Sequence, residues 1–442
     1  MITIPKEVIN ALNLLEKAGF EAYMTGGCVR DYVMGAVQKD YDITTSALPE
    51  ETKGVFSEYT VIETGIKHGT VTVLIDGTPL EITTYRTEGE YLDNRHPSSV
   101  SFTRSLREDA ARRDFTMNAM AWDKSGQIRD FFGGCADIDA GLIRCVGNAD
   151  ERFQEDALRI MRALRFSSVL GFKIEESTME AAKKYKSLLL NISAERVREE
   201  LIKLLCGKDA IRVITECTDI LGEVVPELLE MKGFEQKNIH HIYDVLEHSA
   251  AAVEHVPAEP VLRLAALFHD VGKPDTFFLD DDGVGHFYGH AAVSEEKTRN
   301  ILNRLKFDNK TKDDILALVK YHDVIIELTE KSVKRMLNKI GPELYFKLIL
   351  LKRADNMAQN PAYRDRQKYC DELERIGREV IESESCFSLK DLAVKGNDIM
   401  ALGIPAGKQV GEMLNLLLDA VIAGDVANDK EDLIFFAKKL NL

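Results

Sequence analysis

The sequence predicts an α+β fold, with strands and helices in the first third of the chain and helices alone after it. Three stretches rich in Val, Ile and Thr, at residues 40–43, 68–75 and 80–85, are typical of strands, and the turn pair Asp76-Gly77 joins the last two as a hairpin. Beyond about residue 145, apolar residues recur with helical spacing between Gly, Asn and Pro breaks. A chain of 442 residues has room for several domains.

The first elements are a helix, a strand and a glycine turn. Apolar residues recur every three or four positions between 8 and 18, which predicts a helix that begins after Pro5. A short strand at 21–25 follows, and Gly26-Gly27 then form a tight turn ahead of a helix at 29–34. A helix that begins at such a turn points free N–H groups at it, which is a geometry that binds phosphate.

Later elements are read from helical periods alone. Helices are predicted at 153–166, 179–186, 194–206 and 210–215. A second helical block at 239–357 contains eight of the ten His residues. This concentration indicates that the histidines have a chemical role in this block rather than a packing role. Near the carboxyl end, several Gly residues between 396 and 411 precede an apolar helix; they predict either a phosphate contact or helix caps.

Charge and composition exclude several classes of protein. The chain carries 57 Lys and Arg against 73 Asp and Glu, a net charge of −16. This excludes a protein that binds nucleic acid through its overall charge, so any nucleic-acid contact must be made by a local basic surface. Seven Cys, an odd number without a C-x-x-C pair, are typical of reduced thiols in a cytosolic enzyme. We find neither a signal peptide nor a long uncharged apolar run, and therefore expect a cytoplasmic protein outside the membrane.

Two carboxylates next to the glycine turn form a candidate metal site. Asp40 and Asp42 flank Tyr41 in a predicted strand, whose period of two places both on one face. Glu81, on a later strand, is a third candidate. Oxygen ligands suit Mg²⁺, which leaves coordination positions open for phosphate oxygens. For the D-x-D pattern alone, a solvated acidic strand is the alternative interpretation.

The motifs around these carboxylates resemble a known family. Residues 26–31 (Gly-Gly-Cys-Val-Arg-Asp), followed by Asp40-Tyr41-Asp42, are similar to the signature of the nucleotidyltransferases related to DNA polymerase β. With residues 112–120 and 155–166, which resemble a ribose-handling and a base-reading motif, the order is similar to the class II tRNA nucleotidyltransferases, or CCA-adding enzymes, and to bacterial poly(A) polymerases. The resemblance extends from about residue 25 to about residue 205.

The resemblance implies a polymerase β-like head and a nucleotide site. Arg113 would reach the phosphates and Asp114 the ribose. Asp156 and Arg159, three apart on one predicted helix, would offer an acceptor and a donor that imitate a Watson–Crick edge, so CTP or ATP is chosen without a template. For any single Arg, a solvated cap over apolar residues is the alternative. The full nucleotide-binding set is Gly26, Gly27, Arg30, Arg113, Asp114, Asn118, Asp156, Arg159, Arg162 and, at the primer end, Arg165.

A polar connection separates the two halves of this site. Residues 86–103, including Asp93, Arg95 and His96, are too polar to predict a strand and long for a connection. In the family, a loop here couples to the base-reading helix and is reduced in enzymes that add only CC. Its presence favours a complete CCA enzyme.

A second set of residues resembles the H…HD…D pattern of the HD hydrolases. His248, His269-Asp270 and Asp355 supply that pattern, and His290 and His322 are two further candidate ligands. Six such ligands could hold two divalent metals of unspecified identity, an arrangement that hydrolyses phosphate esters. Four other His residues are assigned to the core or the surface: His240, His241, His255 and His286.

Together these observations predict four domains and one main activity. The domains are a nucleotidyltransferase head (1–145), a helical neck and body that bind nucleotide and tRNA (146–230), an HD metal-binding domain (231–365) and a helical tail with a potential tRNA contact (366–442). The expected activity is untemplated addition of CCA to tRNA 3′ ends from CTP and ATP, with Mg²⁺ at Asp40 and Asp42. The alternatives are a poly(A) polymerase, a partial CC- or A-adding enzyme, and an RNA-end phosphohydrolase that acts through the HD residues.

Overall fold

The computed structural model describes residues 4–38, 40–89, 99–383 and 387–440. The chain forms two compact units, Met1–Pro226 and Glu227–Leu442. This division lies close to the predicted boundary between residues 230 and 231. The finer boundaries, after residues 145 and 365, stay predictions.

A seven-stranded mixed sheet forms the centre of the first unit. Its strands are β1 (Ala22–Thr25), β2 (Asp42–Thr45), β3 (Thr60–Ile62), β4 (Thr70–Ile75), β5 (Thr78–Thr84), β8 (Ala121–Trp122) and β9 (Ile128–Arg129). Their order is β3-β4-β5-β2-β1-β8-β9; β2 and β5 run parallel, and the other neighbours run antiparallel. The predicted mixed sheet and α+β class are confirmed.

The predicted hairpin between β4 and β5 is confirmed. Asp76 and Gly77 both have positive φ, 50° and 83°, which is the turn geometry that an Asp-Gly pair favours. Alternate residues of β4, from Val71 to Ile75, are buried, because successive side chains point to opposite faces of the sheet. The largest buried side chains near the sheet include Trp122, Tyr85 and Phe56.

Helices of the first unit surround the sheet and continue beyond it. The predicted helices at 8–18, 29–34, 179–186, 194–206 and 210–215 are confirmed within a few residues. The helices are α1 (Lys6–Lys17), α2 (Gly27–Val33), α3 (Pro49–Val55), α4 (Leu106–Ala111), α5 (Gly134–Asp139), α6 (Ala149–Glu155), α7 (Leu158–Leu170), α8 (Glu176–Tyr185), α9 (Ala194–Leu205), α10 (Ala210–Glu216) and α11 (Thr218–Leu221).

Two expectations about the first unit are wrong. The single helix predicted at 153–166 is two helices, α6 and α7, because Asp156 has an extended conformation (φ −133°, ψ 102°). The connection at 86–103 does contain strands: β6 (Arg86–Glu88) pairs antiparallel with β7 (Val100–Phe102). The loop residues 93–97 lie outside the described residues.

The second unit is built mainly from helices. Helices α13, α14, α17 and α18 pack against one another, and α18 is kinked at Gly341 (φ 80°) ahead of Pro342. The helices are α12 (Glu227–Met231), α13 (Val245–His255), α14 (Pro260–Phe268), α15 (Lys273–Thr276), α16 (His290–Arg304), α17 (Asn309–Tyr321), α18 (Glu330–Met357), α19 (Gln367–Glu382), α20 (Gly396–Met400), α21 (Lys408–Ala423) and α22 (Lys430–Leu440).

The chain after residue 145 is not wholly helical, which corrects the prediction for that part. Strand β10 (Leu142–Ile143) pairs parallel with β11 (Lys173–Ile174), and β12 (Phe278–Leu279) pairs antiparallel with β13 (Gly285–His286). Both pairs are too short to show a strand pattern in the sequence. Among the described helices, none has the length and apolar character needed to cross a membrane.

Candidate functional site

A cavity of about 630 Å³ in the first unit is lined mainly by arginines. All ten residues of the predicted nucleotide-binding set line it, although they come from three separate segments of the chain. Eight arginines and three aspartates are among the lining residues, so the cavity has a strong excess of positive charge in an acidic protein. Such a cavity is suited to a polyanion. The arginines are Arg30, Arg86, Arg112, Arg113, Arg159, Arg162, Arg165 and Arg196.

The glycine turn forms one edge of this cavity. Gly26 has φ 75°, a conformation that glycine adopts without strain. A Cβ atom at Gly26 would lie 3.5 Å from Arg113 Nη1 and 3.6 Å from Asp42 Oδ2. Both distances are ordinary van der Waals contacts, so the positive φ and not lack of space is the reason for glycine here, and helix α2 begins directly after it.

Asp42 and Glu81 bring two carboxylates together on neighbouring parallel strands. They are Cα partners across β2 and β5, so both side chains leave the sheet on the same face. Burial and the nearby carboxylates Glu81 and Asp40 raise the pKa of Asp42, while Arg113 lowers it. This excess of negative charge, carried on oxygen ligands, fits a divalent cation.

The position of Asp40 differs from the prediction. Strand β2 begins at Asp42, so Asp40 lies in the exposed chain before the strand rather than two residues along its face. Asp42 lines the cavity, whereas Asp40 contributes its charge from the adjacent segment.

Asp114 lies at the buried end of a charged hydrogen-bond network. Its carboxylate accepts hydrogen bonds from Arg162 Nε at 2.8 Å, from Asn118 Nδ2 at 3.3 Å and from the Phe115 N–H at 2.8 Å. Burial raises the pKa of Asp114, but the Arg162 guanidinium outweighs it and holds that pKa below the usual value. Arg30 Nη1 donates to Asn118 Oδ1 at 3.0 Å, which connects α2 to this network.

Asp156 and Arg159 line the cavity without sharing a helix, which corrects the prediction. Asp156 ends α6: Oδ1 accepts the Leu158 N–H at 3.0 Å, and Oδ2 accepts a hydrogen bond from Arg196 at 3.0 Å. Arg159, in the first turn of α7, donates to Glu155 at 2.5 Å and to the Arg152 carbonyl at 3.1 Å. The break between the helices lets both side chains face the same cavity.

Helix α9 supplies two supporting residues that the sequence analysis missed. Arg196 holds Asp156, and Glu200 forms an ion pair with Arg165 at 3.0 Å. Arg196 and Glu200 are four apart and therefore share one helix face. A charged pair at that spacing on a predicted helix was the available signal.

In the second unit, the predicted histidine and aspartate ligands come together. His248 Nε2 lies 3.0 Å from Asp355 Oδ1 and 3.4 Å from Asp270 Oδ2. Two triads share Asp270, and within each the potential ligand atoms lie within 4.8 Å of one another. We call these residues, with Asp355, the histidine cluster. The triads are His248, His269 and Asp270, and Asp270, His290 and His322.

The ring orientations in the histidine cluster fit metal binding. In three of its histidines, Nδ1 lies 2.7–2.9 Å from a backbone carbonyl: His269 with Ala266, His290 with Phe287, and His322 with Val319. An Nδ1–H that donates there leaves Nε2 as the free lone pair facing the cluster. Buried His248 Nε2 and His269 Nε2 face the carboxylate oxygens of Asp270 and Asp355, at 3.0–3.8 Å, and Asp270 Oδ2 also lies 2.7 Å from Lys273 Nζ.

Protein charges alone leave this cluster with an affinity for a cation. Burial lowers the pKa of His269, but Asp270 and Asp355 reverse that effect and raise it to about 10. Burial alone would raise the pKa of Asp355, but His248 and His269 hold it well below its usual value. A divalent cation can replace the proton that these carboxylates attract.

A cavity of about 410 Å³ opens onto the histidine cluster. His240, His241 and His286, assigned from the sequence to the core or the surface, line it. The His241 ring lies 4.9 Å from the His248 ring, and burial lowers the pKa of His241 to about 2. Helical spacing could not reveal these three, because they reach the cavity through irregular segments and a short strand.

Family profiles match three segments of this chain, and curated relatives align with nearly all of it. Family profiles match at residues 22–144 (Poly A polymerase head domain), 171–230 (probable RNA and SrmB-binding site of polymerase A) and 286–437 (tRNA nucleotidyltransferase domain 2, putative). A CCA-adding enzyme of Ligilactobacillus salivarius is 37% identical over 99% of this chain and 98% of its own length. One of Leuconostoc mesenteroides is 34% identical over 99% and 97%.

Solved structures of CCA-adding enzymes also align with nearly the whole chain. The Bacillus stearothermophilus CCA-adding enzyme in complex with CTP is 32% identical, covers 99% of this chain and 98% of its own, and superposes with a TM-score of 0.74. The Thermotoga maritima CCA-adding enzyme complexed with tRNA, at 20% identity and a TM-score of 0.58, shares the fold over all of this chain and 97% of its own.

Proposed function

The chain belongs to the family of CCA-adding enzymes, and from this we propose that it adds CCA to the 3′ end of tRNA from CTP and ATP, without a template and with release of pyrophosphate. The observation that carries the proposal is the arginine-lined cavity, with the carboxylate of Asp42 at its edge. Its substrate would be a nucleoside triphosphate, whose charge matches the excess of arginine.

The glycine turn and two arginines would hold the triphosphate. Backbone N–H groups at the start of α2 are free to donate to phosphate oxygens. Arg30 and Arg113 line the cavity next to that turn and add guanidinium groups. The ribose would lie against Asp114, whose carboxylate Arg162 keeps ionised.

Asp156 and Arg159 would read the base. A carboxylate accepts a hydrogen bond from the exocyclic amine that cytosine and adenine both carry, and a guanidinium donates to a ring acceptor. Arg196 and Glu155 fix these two side chains in the cavity wall. Uracil, which presents a carbonyl where cytosine has its amine, would meet the Asp156 carboxylate with no proton to donate.

A divalent cation held by Asp40, Asp42 and Glu81, which we take to be Mg²⁺, would supply Lewis-acid activation of the primer hydroxyl and charge neutralisation at the pyrophosphate. Arg165, held by Glu200, would orient the primer end. The protein residues thus bind and align the substrates, and no side chain has to accept the proton of the primer hydroxyl in this proposal.

The enzyme would act where tRNA is processed. Its free thiols favour the cytoplasm as that compartment.

Replacing the base-reading residues tests this assignment. We expect Asp156→Ala to lower the preference for CTP over UTP by about 10- to 100-fold, since one hydrogen-bonded recognition contact contributes roughly 1–3 kcal/mol. The measurement is kcat/KM for addition of the first nucleotide to a tRNA that ends at its discriminator base. Glu151→Ala, at an exposed residue of α6 that does not line the cavity, is the matched control. Equal selectivity in Asp156→Ala and wild type would remove Asp156 from base reading.

The histidine cluster favours a second activity, hydrolysis of phosphate esters. Six ligands would hold two divalent metals around Asp270, and such pairs activate water for attack on phosphorus. Buried ligand atoms within 4.8 Å of one another, on rings oriented by backbone carbonyls, are the observation that supports it. The mixed donor set of imidazole nitrogens and carboxylate oxygens fits a divalent transition metal or Mg²⁺.

A further inference from the structure

A buried carboxylate contacts the arginines of the first cavity without belonging to either site described above. Asp109, in α4, has a side chain that is only 1% exposed. Its Oδ1 accepts hydrogen bonds from Arg112 Nε at 3.0 Å, from Arg112 Nη2 at 2.8 Å and from the Arg86 backbone N–H at 3.2 Å. Its Oδ2 accepts a hydrogen bond from Arg113 Nη2 at 3.3 Å. Asp109 therefore contacts three residues that line the cavity.

The Asp109 carboxylate is charged. Burial raises the pKa of Asp109, but the guanidinium groups of Arg112 and Arg113 outweigh it and hold that pKa below its ordinary value. The two arginines lie three and four residues after Asp109, so the turn that ends α4 brings both guanidinium groups to one carboxylate. Asp109 is thus an anionic anchor for two arginines of the cavity wall.

Arg113 is close to a second carboxylate, the one proposed to hold the metal. A Cβ atom at Gly26 would contact both Arg113 Nη1 and Asp42 Oδ2, so these two atoms border the same small gap. Among the described residues, however, Arg113 forms its ion pair with Asp109 and not with Asp42. Its Nη2 is the atom that donates to Asp109, on the other amino group of the same guanidinium.

Thr44 connects Asp109 to the strand that carries Asp42. Thr44 Oγ1 lies 3.5 Å from Asp109 Oδ2 and donates to the Thr83 carbonyl at 3.2 Å. Asp42 and Thr44 are two residues apart in β2, so their side chains leave the sheet on the same face. Asp109 thus lies against the face of β2 that carries Asp42, and both carboxylates are in place to compete for Arg113.

The choice of partner decides what Arg113 and Asp42 can bind. Pairing between them would neutralise the charge that attracts a divalent cation and would occupy a guanidinium group that the phosphates need. We propose that Asp109 is a positioning residue of the nucleotide site: by pairing with Arg113 it keeps this guanidinium off Asp42, so that Asp42 binds the divalent cation and Arg113 binds phosphate. This inference rests on the proposed metal site at Asp42 and Glu81.

Binding of CTP in the absence of tRNA tests this role, because no nucleotide is then transferred. The Kd of CTP is measured by equilibrium dialysis at increasing Mg²⁺ concentrations, for wild type and Asp109→Asn. Asparagine keeps the shape but not the charge, so Arg113 is expected to pair with Asp42 and to raise the half-saturating Mg²⁺ concentration by about tenfold, the effect of one charge-assisted hydrogen bond. By mass action, high Mg²⁺ should then restore the Kd to within about threefold of wild type.

A purely structural role of Asp109 predicts a different result. CTP affinity would fall in Asp109→Asn and no Mg²⁺ concentration would restore it, and this outcome overturns the proposal, as does an unchanged Mg²⁺ dependence. Asp139→Asn, exposed in α5, is the matched control.

A double substitution removes the competing cation as well. In Asp109→Asn with Arg113→Gln, the half-saturating Mg²⁺ concentration should return to the wild-type value, although CTP binds more weakly without the guanidinium group. A concentration that stays raised overturns the proposal. This variant also decides the question if Asp109→Asn alone does not fold, because the Arg113 charge is then not left unpaired.

The metal site itself has a separate outcome. If Asp42→Asn leaves the Mg²⁺ dependence of CTP binding unchanged, the metal site is overturned, and the role of Asp109 with it. If Asp42→Asn removes that dependence while Asp109→Asn keeps the wild-type value, only the role of Asp109 is overturned.

Discussion

Asp42→Asn is expected to abolish CCA addition, with a fall of at least about 10³-fold in kcat. Asparagine keeps the shape of the side chain but removes the charge that, with Glu81, creates the excess of negative potential on the face of β2 and β5. A site that aligns and neutralises phosphates through a metal depends on that charge for several kcal/mol of transition-state stabilisation. The measurement is single-turnover extension of a tRNA lacking CCA.

The same substitution should not weaken the fold. Removing one of several like charges relieves repulsion, so the melting temperature stays the same or rises. Asp76→Asn, in the β4–β5 turn where φ is 50°, is the matched control, because Asn-Gly favours that turn as Asp-Gly does. If Asp42→Asn keeps nucleotide addition within tenfold of wild type, the carboxylate site is wrongly placed.

Asp270→Asn is expected to remove metal from the histidine cluster and to eliminate its hydrolytic activity. Asp270 belongs to both triads, so one substitution alters both. It also leaves the Lys273 ammonium, 2.7 Å from Asp270 Oδ2 and buried, without its charge partner. Loss of one partner of a buried ion pair costs about 3–5 kcal/mol, so a lower melting temperature of the second unit is part of the expected result.

The readout is metal content after gel filtration, by elemental analysis, together with hydrolysis of adenosine 3′-monophosphate, of a short RNA that ends in a 3′-phosphate and of glycerol phosphate. Asp282→Asn, exposed in the turn between β12 and β13, is the matched control. His290→Ala keeps one complete triad, His248, His269 and Asp270, and should lose about half of the metal. Unchanged metal content in both Asp270→Asn and His290→Ala would contradict the two-metal assignment.

The sequence predicts the fold and the members of both sites better than it predicts their local geometry. The Gly26-Gly27 turn, the mixed sheet and the Asp76-Gly77 hairpin follow from glycine conformations and β-forming residues, which are local properties. The break at Asp156 does not, because residues 153–166 contain strong helix formers and neither Gly nor Pro. Hydrogen bonds from Leu158 and Arg196 to the Asp156 carboxylate stabilise the break.

Tertiary contacts also explain the residues that were missed. The strands β6 (Arg-Thr-Glu) and β7 (Val-Ser-Phe) have three residues each, which is too short for an alternating pattern to predict their pairing. His241 and His286 reach the second cavity only because the segment before α13 and the β12–β13 hairpin fold beside the histidine cluster. By contrast, the motif order predicted which residues would meet in each site, since each motif contributes ligands from a different element.

The central claim is tested most directly by counting added nucleotides. The protein is incubated with Mg²⁺ and a tRNA that ends at its discriminator base, with CTP alone, ATP alone or both, and the products are separated at single-nucleotide resolution. We predict two additions with CTP alone and three, with no more, when both are supplied. A long A tract from ATP alone, addition that stops after CC with both nucleotides, or no extension at all would contradict the assignment to complete CCA addition.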